Sequence, residues 1–340
     1  MEAQRLWATR HGLALSPSGT AFATTSGALF AGQLRDDTRR ELLNGQGGEI
    51  AKLPSLRSSS CLVVNVFESW RESPAPVAAA LGSASTQVTF EGFESKQPTG
   101  ISEPHLDVLM KAGDLALAVE GKFCEPYDRG EKNIIQLSYL NTPGIWRGMT
   151  SVRAFAKRIH YGTERFEWLA VHQLLKHIAG LAVHHERFRL VLCWYRIDGP
   201  IADQVEAEIG RFARAVSSEV DFLSITYQEL VTRLRNHPEP APGYFDYLEG
   251  RYGLGAVPRP CPAKTPSRTR AVGVVADPSA IRSSTTWSRG LVNRSPMRRR
   301  VACSAPGVSS AGLSSASAVF TSPMSRRIGW CRCQVRGRHR

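Results

Sequence analysis

The sequence lacks the short motifs that mark several large classes of enzyme. It has no GxxxxGK[ST] or GxGxxG loop to hold phosphate groups, and no Ser-His-Asp or Cys-His arrangement stands out in context. Its seven cysteines are scattered: there is no Cys-x-x-Cys pair, and Cys331-x-Cys333 has no partners at zinc spacing. These absences argue against a zinc domain and a disulfide framework, and they predict a reducing, cytoplasmic setting.

The chain also lacks any long apolar run. No segment approaches the uninterrupted apolar length that spans a membrane, so we expect no membrane partner. The N-terminus has no continuous apolar core after its first charges, which makes a signal peptide an unfavoured interpretation.

Acidic residues are nearly absent from one part of the chain only. The whole sequence has 43 Lys and Arg against 30 Asp and Glu, a formal net charge of +13. Residues 256–340 hold sixteen of those bases and one of those acids, which leaves 27 bases and 29 acids for residues 1–255. The basic balance therefore belongs to the C-terminal segment, and it does not indicate that the remainder binds nucleic acid.

Ser, Arg, Pro, Ala and Gly dominate this segment, and its apolar residues show no period. Such a composition buries too little surface to offset chain entropy, so we predict a disordered basic tail over 255–340. It is either an arm that adds salt-sensitive nucleic-acid affinity or a stretch translated in a shifted reading frame.

The most informative stretch runs from Pro104 to Glu125. It predicts a β-hairpin, with a short apolar run from Leu106, a turn at 112–114 and a second apolar run that ends at Phe123. Charges in buried strands are costly unless they are paired or bind a metal. In an antiparallel hairpin, Asp107 at the start of the first strand lies beside Glu120 and Lys122 at the end of the second.

Asp107 followed by Glu120-Gly121-Lys122 resembles the signature of the PD-(D/E)XK nuclease superfamily, which has the restriction-endonuclease-like fold. The wider segment Glu120-Gly121-Lys122-Phe123-Cys124-Glu125 is similar to one subgroup with a second Glu after the Lys. Ser58-Ser59-Ser60 leading to Asn65-Val66-Phe67 matches the same subgroup, and the resemblance covers roughly residues 55 to 235.

The resemblance implies a site for one or two Mg²⁺ ions, for which Mn²⁺ substitutes. Asp107, Glu120 and the main-chain carbonyl of Gly121 would hold the metal, and Lys122 would orient the attacking water or stabilise charge on the phosphate. Gly121 widens the space at the metal and contributes no side chain. Possible accessory residues are Glu91, Glu94, Gln136, Glu125 and Glu68, although a structural or surface role explains most of them equally well.

Further polar residues lie outside this pattern. Arg147 and the segment 153–158 are the basic candidates for phosphate contact outside the tail. His172 and His177 are five residues apart on a predicted helix, which does not place them on one helix face, so we expected ordinary helix residues there.

Periodicity along the chain predicts an α/β fold. We expected a helix over 58–71, a strand over 86–94, the hairpin, a helix over 131–140, and another over 166–183. A strand over 188–197, a helix over 201–217, a strand over 222–227 and closing helices follow. The fold class is therefore a mixed central sheet flanked by helices, a restriction-endonuclease-like core, with a weakly structured region over 1–54, a nuclease-like domain over 55–254 and the tail.

These features predict a Mg²⁺-dependent nuclease that hydrolyses phosphodiester bonds, with DNA as the expected partner. One alternative is a nuclease-like module that binds nucleic acid and has lost its chemistry. The other, with less support, is an α/β enzyme acting on a small molecule.

Overall fold

A five-stranded mixed sheet forms the centre of the protein. The computed structural model describes residues 2–45, 48–128 and 134–255. The strands follow one another in the sheet in chain order: β1 (Val88–Lys96), β2 (His105–Ala112), β3 (Leu115–Lys122), β4 (Arg187–Trp194) and β5 (Asp221–Thr226). β1, β2 and β3 pair antiparallel, whereas β4 and β5 continue the sheet in parallel with β3.

The predicted hairpin is confirmed as β2 and β3. Ala112 pairs with Leu115, so Gly113 and Asp114 form a two-residue turn, and Gly113 has a φ of 64°. Glycine adopts this left-handed conformation without steric cost, which is why the chain can reverse so tightly here.

Helices cover both faces of the sheet. Their bounds are α1 (Glu2–Arg10), α2 (Thr25–Ala28), α3 (Asp36–Asn44), α4 (Glu49–Lys52), α5 (Ser59–Phe67), α6 (Ala75–Ala80), α7 (Leu137–Asn141), α8 (Thr150–His160), α9 (Val171–His184), α10 (Pro200–Val216), α11 (Tyr227–Leu234) and α12 (Tyr244–Tyr252). One layer contains α5, α6, α11 and α12, and the other contains α8, α9 and α10. The predicted fold class, a mixed sheet flanked by helices, is confirmed.

The two helix layers pack on alternate side chains of each strand. On β3, Leu117 and Val119 join the core with α5, while Ala116 and Ala118 join the core with α9. β3 is buried on both faces, as its continuous apolar run predicted.

The N-terminal region packs against the central sheet and its helices. It contributes Trp7, Phe22 and Leu42 to the core shared with α5 and α12. Arg251 on α12 is buried and donates hydrogen bonds to the carbonyl of Ala28 and the hydroxyl of Tyr247. The contact with Ala28 joins residues 223 positions apart in the sequence, and local periodicity does not report it.

Two predicted helices begin later than expected. The first was expected over 131–140, and α7 begins at Leu137, while residues 131–133 lie outside the described residues. The second was expected from Phe166, but α9 begins at Val171. The segment before α9 is instead held by Glu208 of α10, whose carboxylate accepts hydrogen bonds from the backbone N–H groups of Glu167, Trp168 and Leu169.

The basic tail predicted over 255–340 lies outside the described residues, apart from Gly255. Within the part of the chain that is described, no helix combines the length and apolar character required to cross a bilayer.

Candidate active site

A cavity of about 670 Å³ opens where β3 ends. It is lined by residues from β2 and β3, from the segment that leads into α5, and from α9. Asp107, Glu120, Gly121 and Lys122 all line this cavity, so the structure brings together the four residues of the Asp…Glu-x-Lys pattern.

The two hairpin strands separate at this point. The last pair of their ladder toward the cavity is Val108 with Val119, one residue before Asp107 and Glu120. The Asp107 Oδ2 instead accepts a hydrogen bond of 2.6 Å from the backbone N–H of Gly121. The separation lets side chains and backbone of both strands face the same cavity.

Glu120 is buried between two basic groups. Its Oε1 lies 2.6 Å from Nζ of Lys122, and its Oε2 lies 2.9 Å from Nε2 of His177 on α9. Side chains two apart on a strand point to the same face, which explains the first contact. His177 was not expected here, because nothing in the local sequence reports that α9 packs across the end of β3.

Glu94 is a third carboxylate at the cavity. β1 and β2 pair at Phe93–Val108 and again at Ser95–Leu106, and the intervening Glu94 has a φ of 49°. This left-handed backbone is uncommon for a residue other than glycine. The register of β1 on β2 is the same on both sides of Glu94, and Glu94 lines the cavity with Asp107.

The electrostatic balance of the cavity follows from burial and from these neighbours. Burial, followed by the Glu120 carboxylate, raises the pKa of Asp107 well above its usual value. Burial and the nearby Glu49 and Glu120 raise the pKa of Glu94 to about 7. Burial also opposes the ionisation of Glu120, but Lys122 and His177 outweigh it and lower the pKa of that carboxyl.

Lys122 keeps its charge in this setting. Burial disfavours the ammonium, yet the carboxylates of Glu120 and Asp107 outweigh burial and raise the pKa of Lys122. The site therefore places the carboxyl groups of Glu94, Asp107 and Glu120 near a lysine that stays protonated.

Position 121 must be glycine because Tyr227 and Val63 pack closely against it, on the face of the sheet opposite the cavity. A Cβ at this position would lie within 3.0 Å of both Tyr227 Oη and Val63 Cγ2. The expectation that glycine widens the space at the metal is therefore corrected. The missing side chain makes room for the α5 and α11 layer, whereas Glu120 and Lys122 face the cavity.

The accessory candidates divide into two groups. Glu125 lines the cavity, and its Oε2 accepts a hydrogen bond of 2.8 Å from the N–H of Phe123. Glu91 is exposed and lies 3.6 Å from Lys111, and Gln136 is exposed and precedes α7. Glu68 accepts a hydrogen bond from Thr38, and Glu68, Glu91 and Gln136 do not line the cavity.

The basic residues at the cavity are not those expected from the sequence. Arg147 donates to the carbonyl of His185, and Arg153 donates to that of Leu140. The cavity is lined instead by Lys52, Arg57 and Lys176, together with Lys122. These cations come from α4, the segment before α5 and α9, which only the tertiary fold brings together.

The oxygen ligands at the cavity suit a hard cation that takes only a few of its ligands from the protein. No group of three or more His, Cys, Asp or Glu side chains within the described residues is arranged to enclose a metal ion. Two clustered carboxylates and a backbone carbonyl match the way Mg²⁺ binds, with one or two carboxylates, waters and substrate phosphates. Burial, followed by neighbouring carboxylates, raises the pKa of Glu94 and of Asp107, and a bound dication would favour the ionised form of both.

Comparison with known protein families gives a match over most of the described residues. A model described as "Restriction Endonuclease associating with ARP" matches residues 21–253, which is more than half of the chain. The chain belongs to this family. No curated protein and no solved structure matched the chain.

Membership in the restriction endonuclease family indicates a nuclease-type hydrolase, and it disfavours the small-molecule enzyme considered from the sequence. The match begins at residue 21, well before residue 55, where the nuclease-like domain was predicted to start.

Proposed function

We propose that the chain is a Mg²⁺-dependent nuclease that hydrolyses phosphodiester bonds of DNA. The observation that carries the proposal is the convergence of Asp107, Glu120 and Lys122 in one cavity at the end of β3. Membership in the restriction endonuclease family supports it. The family description also names an association with ARP, and we propose that this chain associates with such a partner.

Asp107, Glu120 and the carbonyl of Gly121 would hold Mg²⁺. When bound, the ion would lower the pKa of a water molecule, so that a nucleophile is present at neutral pH. Its positive charge would also offset the negative charge of the scissile phosphate. The hydrogen bond from the Gly121 N–H to Asp107 holds one carboxylate in place. His177 lies against one oxygen of Glu120 and so orients the second carboxylate.

Lys122 is the group that we propose for the reacting phosphate. Its ammonium rests 2.6 Å from Glu120, and its raised pKa keeps it protonated at neutral pH. A fixed cation at this position stabilises the charge that develops on the phosphate oxygens, or it orients the attacking water. Lys52, Arg57 and Lys176 line the same cavity and are suited to hold flanking phosphates.

Incubation of the purified full-length chain with supercoiled and linear DNA tests this function. We expect cleavage or nicking in Mg²⁺ or Mn²⁺ and none in EDTA, because the carboxylates alone supply neither the nucleophile nor the charge neutralisation. An RNA substrate in parallel tests the choice of nucleic acid.

The outcomes separate the candidates. Cleavage that persists in EDTA would contradict the metal requirement. DNA binding without cleavage under any metal condition would favour the inactive nuclease-like module. Cleavage of RNA alone would contradict DNA as the substrate.

A further inference from the structure

A second cavity lies beside the candidate active site, on the α9 face of the sheet. Its volume is about 330 Å³, and it shares Lys122, Glu125 and Gln173 with the first cavity. The rest of its lining is mostly apolar and includes Pro126, Trp168, Leu169, Ala170, Leu174 and Leu192. The two cavities thus adjoin at the lysine that we assign to the reacting phosphate.

The wall of this second pocket is built by a specific contact. The carboxylate of Glu208 accepts hydrogen bonds of 2.7, 2.8 and 2.9 Å from the N–H groups of Glu167, Trp168 and Leu169. Three consecutive amides directed at one carboxylate fix the backbone before α9. The apolar side chains of Trp168 and Leu169 are therefore held at the pocket before any ligand arrives.

The charges at the rim decide what kind of group suits the pocket. Glu125 and Asp128 both line it, with Asp128 2.5 Å from Arg57. Among the described residues that line the pocket, the one cation is Lys122, which we assign to the reacting phosphate, so a second phosphate would meet no further cation there. An uncharged flat ring suits the apolar walls. Gln173 adds an amide that both donates and accepts hydrogen bonds, which matches the polar edge of a nucleobase.

We propose that the second pocket receives one nucleobase, turned out of the helical stack beside the phosphate that is cut. This inference rests on the proposed nuclease function, because it places the scissile phosphate at Lys122. A strand whose phosphate lies there presents the attached nucleoside to the neighbouring space. Glu208 acts as a positioning residue, since it touches only the backbone of the pocket wall.

Turning a base out of a duplex costs a few kcal/mol, and the cost is least for a mismatched base. A pocket of this kind therefore favours DNA that carries an unpaired base. We expect a duplex with one mismatched pair to bind at least about tenfold more tightly than a fully paired duplex of equal length and otherwise identical sequence.

The Asp107→Asn variant of the full-length chain is suited to this measurement, because Asp107 does not line the second pocket and the variant should bind without cutting. Fluorescence anisotropy with the two duplexes gives both affinities. Adding Ala170→Leu fills the pocket and should remove the mismatch preference, leaving affinity for the paired duplex within about twofold. The matched control is Ala154→Leu, at an exposed position on α8 in a separate cavity, which should keep the preference.

If the Ala170→Leu variant fails to fold, Gln173→Leu provides a second test. This change removes the side-chain amide from a half-buried position of the pocket, and it should weaken the preference for the mismatched duplex. Equal affinity for the two duplexes with the pocket intact would overturn the base-binding pocket. So would a preference that survives Ala170→Leu in a folded protein. If the parental chain still cleaves DNA in Mg²⁺, the nuclease proposal survives either result. Absence of both binding and cleavage would remove both proposals.

Discussion

Asp107→Asn and Lys122→Ala are each expected to lower the rate of Mg²⁺-dependent DNA cleavage by on the order of 10³-fold or more, which amounts to loss of activity in most assays. Asparagine keeps the shape of Asp107 and can still accept the hydrogen bond from the Gly121 N–H, but it has no charge to hold a cation. Alanine at position 122 removes the ammonium that we assign to the phosphate.

Two residues of the same hairpin provide matched controls. Asp114 lies at the turn, where it is exposed and lies 2.5 Å from Arg187. Lys111 is an exposed residue of β2, 3.6 Å from Glu91. Asp114→Asn and Lys111→Ala make the same chemical changes away from the cavity, and surface ion pairs contribute little to stability. We expect near-normal cleavage from both.

Circular dichroism and thermal unfolding should accompany these assays, because Lys122→Ala leaves Glu120 buried with fewer positive neighbours. Asp107→Asn is the cleaner of the two changes. Undiminished cleavage by both folded variants would contradict the assignment of the site.

Gly121→Ala is expected to reduce both stability and activity. The added Cβ would lie within 3.0 Å of Tyr227 Oη and Val63 Cγ2, which are buried and cannot move without disturbing the core. Overpacking of this kind costs typically about 1–3 kcal/mol, which thermal or denaturant unfolding can measure. Displacing the backbone between Glu120 and Lys122 by about 1 Å should lower cleavage by on the order of 10²-fold.

The chain offers a control and a rescue for this change. A Cβ at Gly144 meets nothing within 4 Å, so Gly144→Ala should change neither stability nor cleavage. Combining Gly121→Ala with Tyr227→Phe removes one of the two clashing atoms and should restore part of the lost stability. Full stability and activity in Gly121→Ala would show that the packing behind β3 does not constrain the site.

The hairpin could be predicted because its information is local. A glycine turn between two apolar runs fixes the register of β2 and β3, and that register brings Asp107 near Glu120 and Lys122. The same spacing carried the resemblance to nucleases, and the family match supports the restriction endonuclease class.

The remaining parts of the site depend on contacts between distant residues. His177 reaches Glu120 only because α9 packs across the end of β3. Glu94 lines the cavity, whereas Glu91 is exposed beside Lys111. The register of β1 on β2 shifts between Phe90 and Gly92, next to Glu91, and Glu94 has a positive φ. Simple alternation along a strand cannot anticipate such an irregularity.

The start of α9 shows the same limit. Apolar periodicity continues back to Phe166, and it favours a helix there. Glu208 lies 39 to 41 residues further along the chain. Its carboxylate accepts hydrogen bonds from the backbone N–H groups at 167–169, and this segment is not helical. A hydrogen bond of this range competes with local propensity, and only the folded structure reveals which of them prevails.

The most direct test of the central claim is a crystal of the full-length chain soaked in Mn²⁺, with diffraction recorded at the manganese absorption edge. We predict an anomalous peak between the carboxylates of Asp107 and Glu120, close to the carbonyl of Gly121, and no such peak in the Asp107→Asn variant. Carboxylates too far apart to share an ion, or a peak elsewhere with none in this cavity, would contradict the account.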